Sequence, residues 1–95
     1  MHIINVCAII VTEEYEQWYA TLDQDSKTEL YYLTELLKLN GPELSRPYAD
    51  SLHGLKRIKN LKELRGSTSK HVLRVSFFFD KERNAFLLIG GDKRA

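Results

Sequence analysis

Cysteine occurs once in these 95 residues, at Cys7, which excludes an internal disulfide framework and fits a reducing compartment. Cys7 sits in an apolar run with no Lys, Arg or His beside it, so it reads as a small buried hydrophobe, not an activated thiolate. Long hydrophobic runs are also lacking. Ile3 to Val11 is interrupted by Asn5 and is far too short to span a bilayer. It has neither the charged start nor the small-residue cleavage site of a secretory signal, so a cytoplasmic protein without membrane contact is expected. No phosphate loop, zinc-ligand spacing or serine-hydrolase elbow is present, and Gly90-Gly91-Asp92 is too short and too late to cradle a nucleotide. His2, His53 and His71 show no ligand spacing and read as surface or capping histidines. No metal and no cofactor are expected.

Basic residues are scarce at one end only. The first 52 residues hold three Lys/Arg against nine Asp/Glu, whereas His53 to Ala95 hold eleven against four. The formal charge of +1 thus hides an acidic half near −6 and a basic half near +7. This asymmetry points to a polyanion on the basic end and a basic partner on the acidic end. With 43% hydrophobic and 28% charged residues the chain is an ordinary globular one, and its length fits a single domain over residues 1–95.

Ile3 to Ile10 is rich in β-branched residues and predicts a first strand. Thr12 is placed to cap a helix whose first turn carries Glu13 and Glu14, favourable at the positive end of the helix dipole. Tyr15, Trp18, Tyr19 and Leu22 then recur on one helical face. After a break at Asp23-Gln24-Asp25, Ser26-Lys27-Thr28-Glu29 matches a capping box. A second helix follows, with Leu30, Leu33, Leu36 and Leu37 facing inward, and stops at Asn40-Gly41-Pro42. Glu43 to Leu55 reads as a connector. Three strands are expected at Lys59–Gly66, Val72–Phe79 and Ala85–Ile89, separated by turns. In the middle strand Leu73, Val75, Phe77 and Phe79 share one face, while Val72, Arg74, Ser76 and Phe78 share the other. The order β-α-α-β-β-β gives an α+β domain, a helical hairpin packed on a twisted antiparallel sheet.

The basic half is also the strand half, so its charges project from a rigid surface suited to phosphate contact. The candidates are Lys62, Arg65, Arg74, Lys93 and Arg94. Arginines held by a sheet stabilise charge developing on a cleaved phosphodiester without a metal. Glu63 is a candidate base and Lys93 a candidate acid or charge stabiliser. A salt-bridged surface, with Glu63 pairing Arg65 or a neighbouring lysine, explains the same charges, and on pattern alone it is the better account.

Five blocks in succession change those odds. Leu37-Lys38-Leu39-Asn40-Gly41-Pro42-Glu43-Leu44, Arg46-Pro47-Tyr48-Ala49-Asp50, Lys62-Glu63-Leu64-Arg65, Arg74 before Phe77-Phe78-Phe79-Asp80, and Gly90-Gly91-Asp92-Lys93 together resemble the HigB-type toxins of the RelE/ParE superfamily of type II toxin–antitoxin systems. The resemblance runs from about Glu13 to the C-terminus. It implies a RelE-like fold, a ribosome-dependent and metal-independent mRNA endonuclease (mRNA interferase), and neutralisation by a helix-turn-helix antitoxin in a hetero-oligomer. It further implies catalytic roles for Arg65, Arg74 and Lys93, which stand at the family's usual basic positions. Beside them Glu63 is expected as the base, and Lys62, Arg46 and Arg94 as RNA contacts. In the connector, Pro47 is expected to fix the backbone and Tyr48 to pack beneath the sheet, with RNA contact the lesser reading. Family members continue past the Gly-Asp-Lys segment into a basic C-terminal helix, whereas this sequence ends at Ala95, so part of that RNA surface is expected to be missing. The competing readings are a non-catalytic or gyrase-targeting ParE-like binding protein, and a truncated inactive toxin.

Overall fold

The computed structural model describes residues 6–52 and 60–93. Ile3–Asn5 of the expected first strand, Lys59 of the expected Lys59–Gly66 strand, His2, His53 and Arg94 lie outside them; within them the first strand begins only at Ile9 and the later one at Lys62. The elements run β1 (Ile9–Val11), α1 (Glu13–Ala20), α2 (Gln24–Asn40), a 3-10 turn at Gly41–Glu43, β2 (Ala49–Ser51), β3 (Lys62–Ser67), β4 (Val72–Phe79) and β5 (Ala85–Asp92). The strands form one sheet in the order β1-β5-β4-β3-β2. This is the expected α+β domain of two helices on a sheet. The sheet is mixed, however, because β1 runs parallel to β5 while the other three pairings are antiparallel.

Local chemistry fixes the helix ends. Thr12 Oγ1 accepts a hydrogen bond from Tyr15 N at 3.0 Å and donates one to Leu88 O at 2.5 Å, so a single hydroxyl caps α1 and ties it to β5. The Leu88 carbonyl is available because β5 bulges there: Ser76 lies opposite Ile89 but Phe77 lies opposite Leu87, leaving Leu88 as the extra residue. The second helix begins earlier than its capping box suggested. Asp23 is its N-cap, accepting from Ser26 N at 2.8 Å, and Ser26 lies buried inside the first turn. Asp23 offers a carboxylate to the helix dipole where Ser26 has only a hydroxyl. The helix ends as expected at Gly41, whose φ of 58° is the left-handed conformation that glycine adopts without strain.

The core lies between the helical hairpin and one face of the sheet. Leu30, Leu33 and Leu37 of α2 and Tyr15 of α1 are buried with Leu64, Leu73, Val75, Phe77, Ala85 and Leu87. Burying each large side chain of this set stabilises by roughly 1.5–3 kcal/mol. Trp18, on the apolar face of α1, is only partly buried and packs against this core from outside. There its ring lies over Gly90, and the Leu33 and Glu29 side chains of α2 come close over Gly66, though less tightly. The far face of the sheet is left to other chemistry.

Candidate nucleic-acid interface

Strand alternation decides which basic residues meet. On β3, Leu64 points into the core and Glu63 and Arg65 share the opposite face; on β4, Leu73 and Val75 point in and Arg74 and Ser76 point out. The antiparallel register puts Arg65 directly opposite Arg74 and Glu63 opposite Ser76. The pairing of these strands around the Ser67–Lys70 turn is the one anticipated. Lys62 has the parity of Leu64 and lies opposite Phe77, so it belongs to the helix side, where it lines a hollow with Pro42, Leu44, Arg46 and Asp50. It does not join the two arginines.

Two like charges directly opposite across a strand pair repel. Here one carboxylate oxygen holds both: Glu63 Oε1 accepts from Arg65 Nε at 3.3 Å and stands 3.3 Å from Arg74 Nε. The second contact is an ion pair without hydrogen-bond alignment, so Arg74 Nε is buried and only half satisfied. Asp50 on β2, opposite Glu63, adds a second anion. It lies 2.6 Å from Arg46 Nη2 and 3.6 Å from Arg65 Nη2. The hydrogen bond from Arg46 above all, with help from Ser51 N and Arg65, holds the Asp50 carboxyl below its ordinary range. Three guanidiniums thus face two carboxylates, and the cluster keeps a net positive charge on a partly desolvated sheet face.

Lys93 continues the same face. Its N–H donates to Val72 O at 2.8 Å, one step beyond the last paired residues, and its side chain is exposed. Arg46 reaches the cluster from the connector with 74% of its side chain exposed, tethered to Asp50. His71 does not reach the arginines. Its Nδ1 pairs with Asp92 and its Nε2 lies 3.3 Å from Asp23, a link between β5 and the start of α2. The Asp92 hydrogen bond, with the added charge of both carboxylates, raises the His71 pKa above its ordinary value.

Tyr48 corrects the expectation of a buried connector tyrosine. It is 36% exposed and meets Tyr32 of α2 edge to face, at 6.3 Å between centroids. Its carbonyl accepts from Arg65 N at 2.8 Å, which extends the β2 pairing and positions Arg65. A groove of about 630 Å³ runs from Arg65 and Arg74 past Tyr48 and Tyr32 to Glu29. Sequence reading missed β2, Asp50 and Tyr32 as parts of this site. Tyr32 carried a signal nonetheless, being a large aromatic off the Leu30–Leu33–Leu37 stripe.

Two helices packed on one face of a five-stranded mixed sheet are the architecture of a RelE-like toxin. Residues 17–95 match the family model described as "Phage derived protein Gp49-like (DUF891)". The chain is 36% identical over 86 residues to "Putative toxin HigB3" of Mycobacterium tuberculosis, spanning 90% of this chain and 73% of that one. It is 37% identical over 82 residues to "Putative toxin HigB2" of the same organism, spanning 85% of this chain but only 40% of that one. The chain belongs to the Gp49-like family, and the HigB-like resemblance read from its motifs is borne out. No helix among the described residues is long and apolar enough to cross a membrane.

Proposed function

We propose that the chain is the toxin of a toxin–antitoxin pair and that it cleaves translating mRNA on the ribosome, in the cytoplasm. The observation that carries this reading is the Arg65–Arg74 pair, two arginines directly opposite on adjacent strands of a partly exposed sheet face and sharing one carboxylate oxygen. A phosphodiester placed there relieves the repulsion between them and receives a planar, multidentate set of donors. In the proposed step the RNA 2′-hydroxyl attacks the adjacent phosphorus. Its proton passes to Glu63, the P–O5′ bond breaks, and Lys93 supplies a proton to the leaving 5′-oxygen. The products are a 2′,3′-cyclic phosphate and a free 5′-hydroxyl. Arg65 and Arg74 stabilise the charge gathering on the non-bridging oxygens, where a preorganised cation contributes most. Arg46 extends the basic track, and Lys62, on the other face, is assigned no contact in this step.

Likeness to toxins and the charge of α1 support an antitoxin partner. A helix-turn-helix antitoxin is proposed to neutralise the chain in a hetero-oligomer, its basic surface meeting Glu13, Glu14 and Glu16 on the exposed side of α1. A second reading, binding without cleavage as in a gyrase-directed relative, is favoured by one observation: Glu63 Oε1 and His71 are both already engaged in ion pairs. Primer extension on translated messages after induction separates the two. New ribosome-dependent ends, absent with Arg74→Ala, support cleavage; growth arrest with a DNA-damage response and no new ends supports the alternative.

A further inference from the structure

The groove beside the arginines has a polarity that phosphate binding alone does not use. At one end stand Arg65 and Arg74; at the other, Glu29 of α2 accepts from Ser67 N at 3.1 Å, so its carboxylate is fixed at the groove wall. Between them the Tyr32 and Tyr48 rings meet at 75°, with Tyr32 48% and Tyr48 36% exposed. Large aromatic side chains left this open are unusual for a core role and supply a π face for stacking. The volume of about 630 Å³ lies within the roughly 300–1,000 Å³ of small-ligand sites. The tyrosines are also linked to each other: the Tyr32 hydroxyl is raised above its ordinary pKa first by its hydrogen bond with Tyr48 and also by the nearby Glu29 charge.

We propose that this groove is a nucleobase subsite, in which the base next to the phosphate held by Arg65 and Arg74 stacks on the Tyr48–Tyr32 pair and turns its hydrogen-bond donors toward Glu29. The inference rests on the RNA reading above and adds a base preference to it. An aromatic face accepts any base, but a carboxylate accepts only from donors. Adenine and cytosine present an exocyclic amino group, guanine an amino group with a ring N–H beside it, and uracil a single ring N–H. Guanine therefore satisfies both carboxylate oxygens, and uracil fits worst. The polarity also sets direction, because the anionic backbone is drawn to the arginine end and repelled from the Glu29 end. Asp25, one helical turn before Glu29 and lining the adjoining hollow with it, reinforces that repulsion.

The test uses the full chain and fluorescein-labelled RNA hexamers, r(AAGAAA), r(AAAAAA) and r(UUUUUU), with anisotropy at low ionic strength. Binding is expected in the order guanine-containing, then adenine, then uridine. Tyr48→Ala should weaken the guanine-containing hexamer by about fivefold or more, the scale of one lost base–aromatic stack. Tyr48→Phe should retain that stack. Glu29→Gln keeps an acceptor for Ser67 N, so it should hold the fold while collapsing the preference among the three hexamers. Equal melting temperatures would exclude misfolding as the cause. Binding that depends on Arg74 but is indifferent to Tyr48, Tyr32 and Glu29 overturns the subsite and leaves the phosphate reading standing. No binding of any hexamer by the wild type overturns both.

Discussion

Gly90→Ala is the sharpest test of how the helical hairpin is seated. Gly90 lies opposite Val75 on the helix side of the sheet, and the Trp18 ring rests on it. A Cβ built there falls 2.1 Å from Trp18 Cζ3 and 2.4 Å from both Cε3 and Cη2, in effect inside the ring. Ordinary carbon contacts are about 3.5–4.0 Å, so the ring must retreat by more than 1 Å or so. It has little freedom to do so. Tyr15 stands against it at 5.8 Å between centroids, and the start of α1 is tied to β5 through Thr12. Overpacking of this kind costs about 1–3 kcal/mol, offset by about 0.4–1 kcal/mol because alanine narrows the unfolded ensemble. A net loss near 1–2 kcal/mol corresponds to a melting temperature lower by roughly 4–15 °C for a domain of this size. Trp18 is the sole tryptophan, so its fluorescence during urea unfolding reads this variant directly. A double-mutant cycle followed by circular dichroism isolates the clash: in a Trp18→Ala background, Gly90→Ala should cost nothing or stabilise slightly. If Gly90→Ala leaves stability within about 0.5 kcal/mol of wild type, or costs the same with and without Trp18, the packing described is wrong.

Arg74→Ala should abolish growth inhibition while circular dichroism and antitoxin binding stay near wild type, and Arg74→Lys should recover little, because an ammonium cannot reproduce the guanidinium fork. Equal toxicity of wild type and Arg74→Ala would remove Arg74 from the site. The His71 link predicts a pH dependence. Its folded pKa is raised above the unfolded value near 6.5, so its stabilisation is fully present below about pH 6.5 and is lost as pH rises through the folded value. Urea midpoints should therefore fall across that window for wild type and stay flat for His71→Gln; parallel curves would show that the contacts with Asp92 and Asp23 contribute nothing. Reversing Glu13, Glu14 and Glu16 together should slow antitoxin association at low salt, measured by stopped flow, and an unchanged rate would dismiss the acidic face as a docking surface.

The parts of the fold that were legible in the sequence are those where one periodicity governs many residues. The α2 leucine stripe, the alternation of β4 and the stop at Gly41 all follow from side-chain period or backbone sterics. What failed were elements too short to carry a period. β2 has three residues and pairs only because Arg46-Pro47-Tyr48 delivers Ala49 to the edge of β3, and nothing local announces that. The α2 start was misplaced because Asp23 and Ser26 are both favoured N-cap residues but only Ser26 has a glutamate three positions on; Asp23 takes the cap and Ser26 is buried in the first turn. For the site, the sequence held more than a charge count extracted. Lys62 and Arg65 are three apart on one strand, an odd spacing that puts them on opposite faces, while Glu63 and Arg65 share one. The groove was out of reach because Glu29, Tyr32 and Tyr48 come together only through tertiary packing.

The most direct measurement of the central claim is made in a reconstituted translation reaction with the purified chain and a defined message. Cuts within the message are expected only when ribosomes are translating, with upstream fragments ending in 2′,3′-cyclic phosphate, and neither is expected with Arg65→Ala or Arg74→Ala. Intact message in the presence of wild-type chain that still arrests growth, or cuts that persist in both arginine variants, would contradict it.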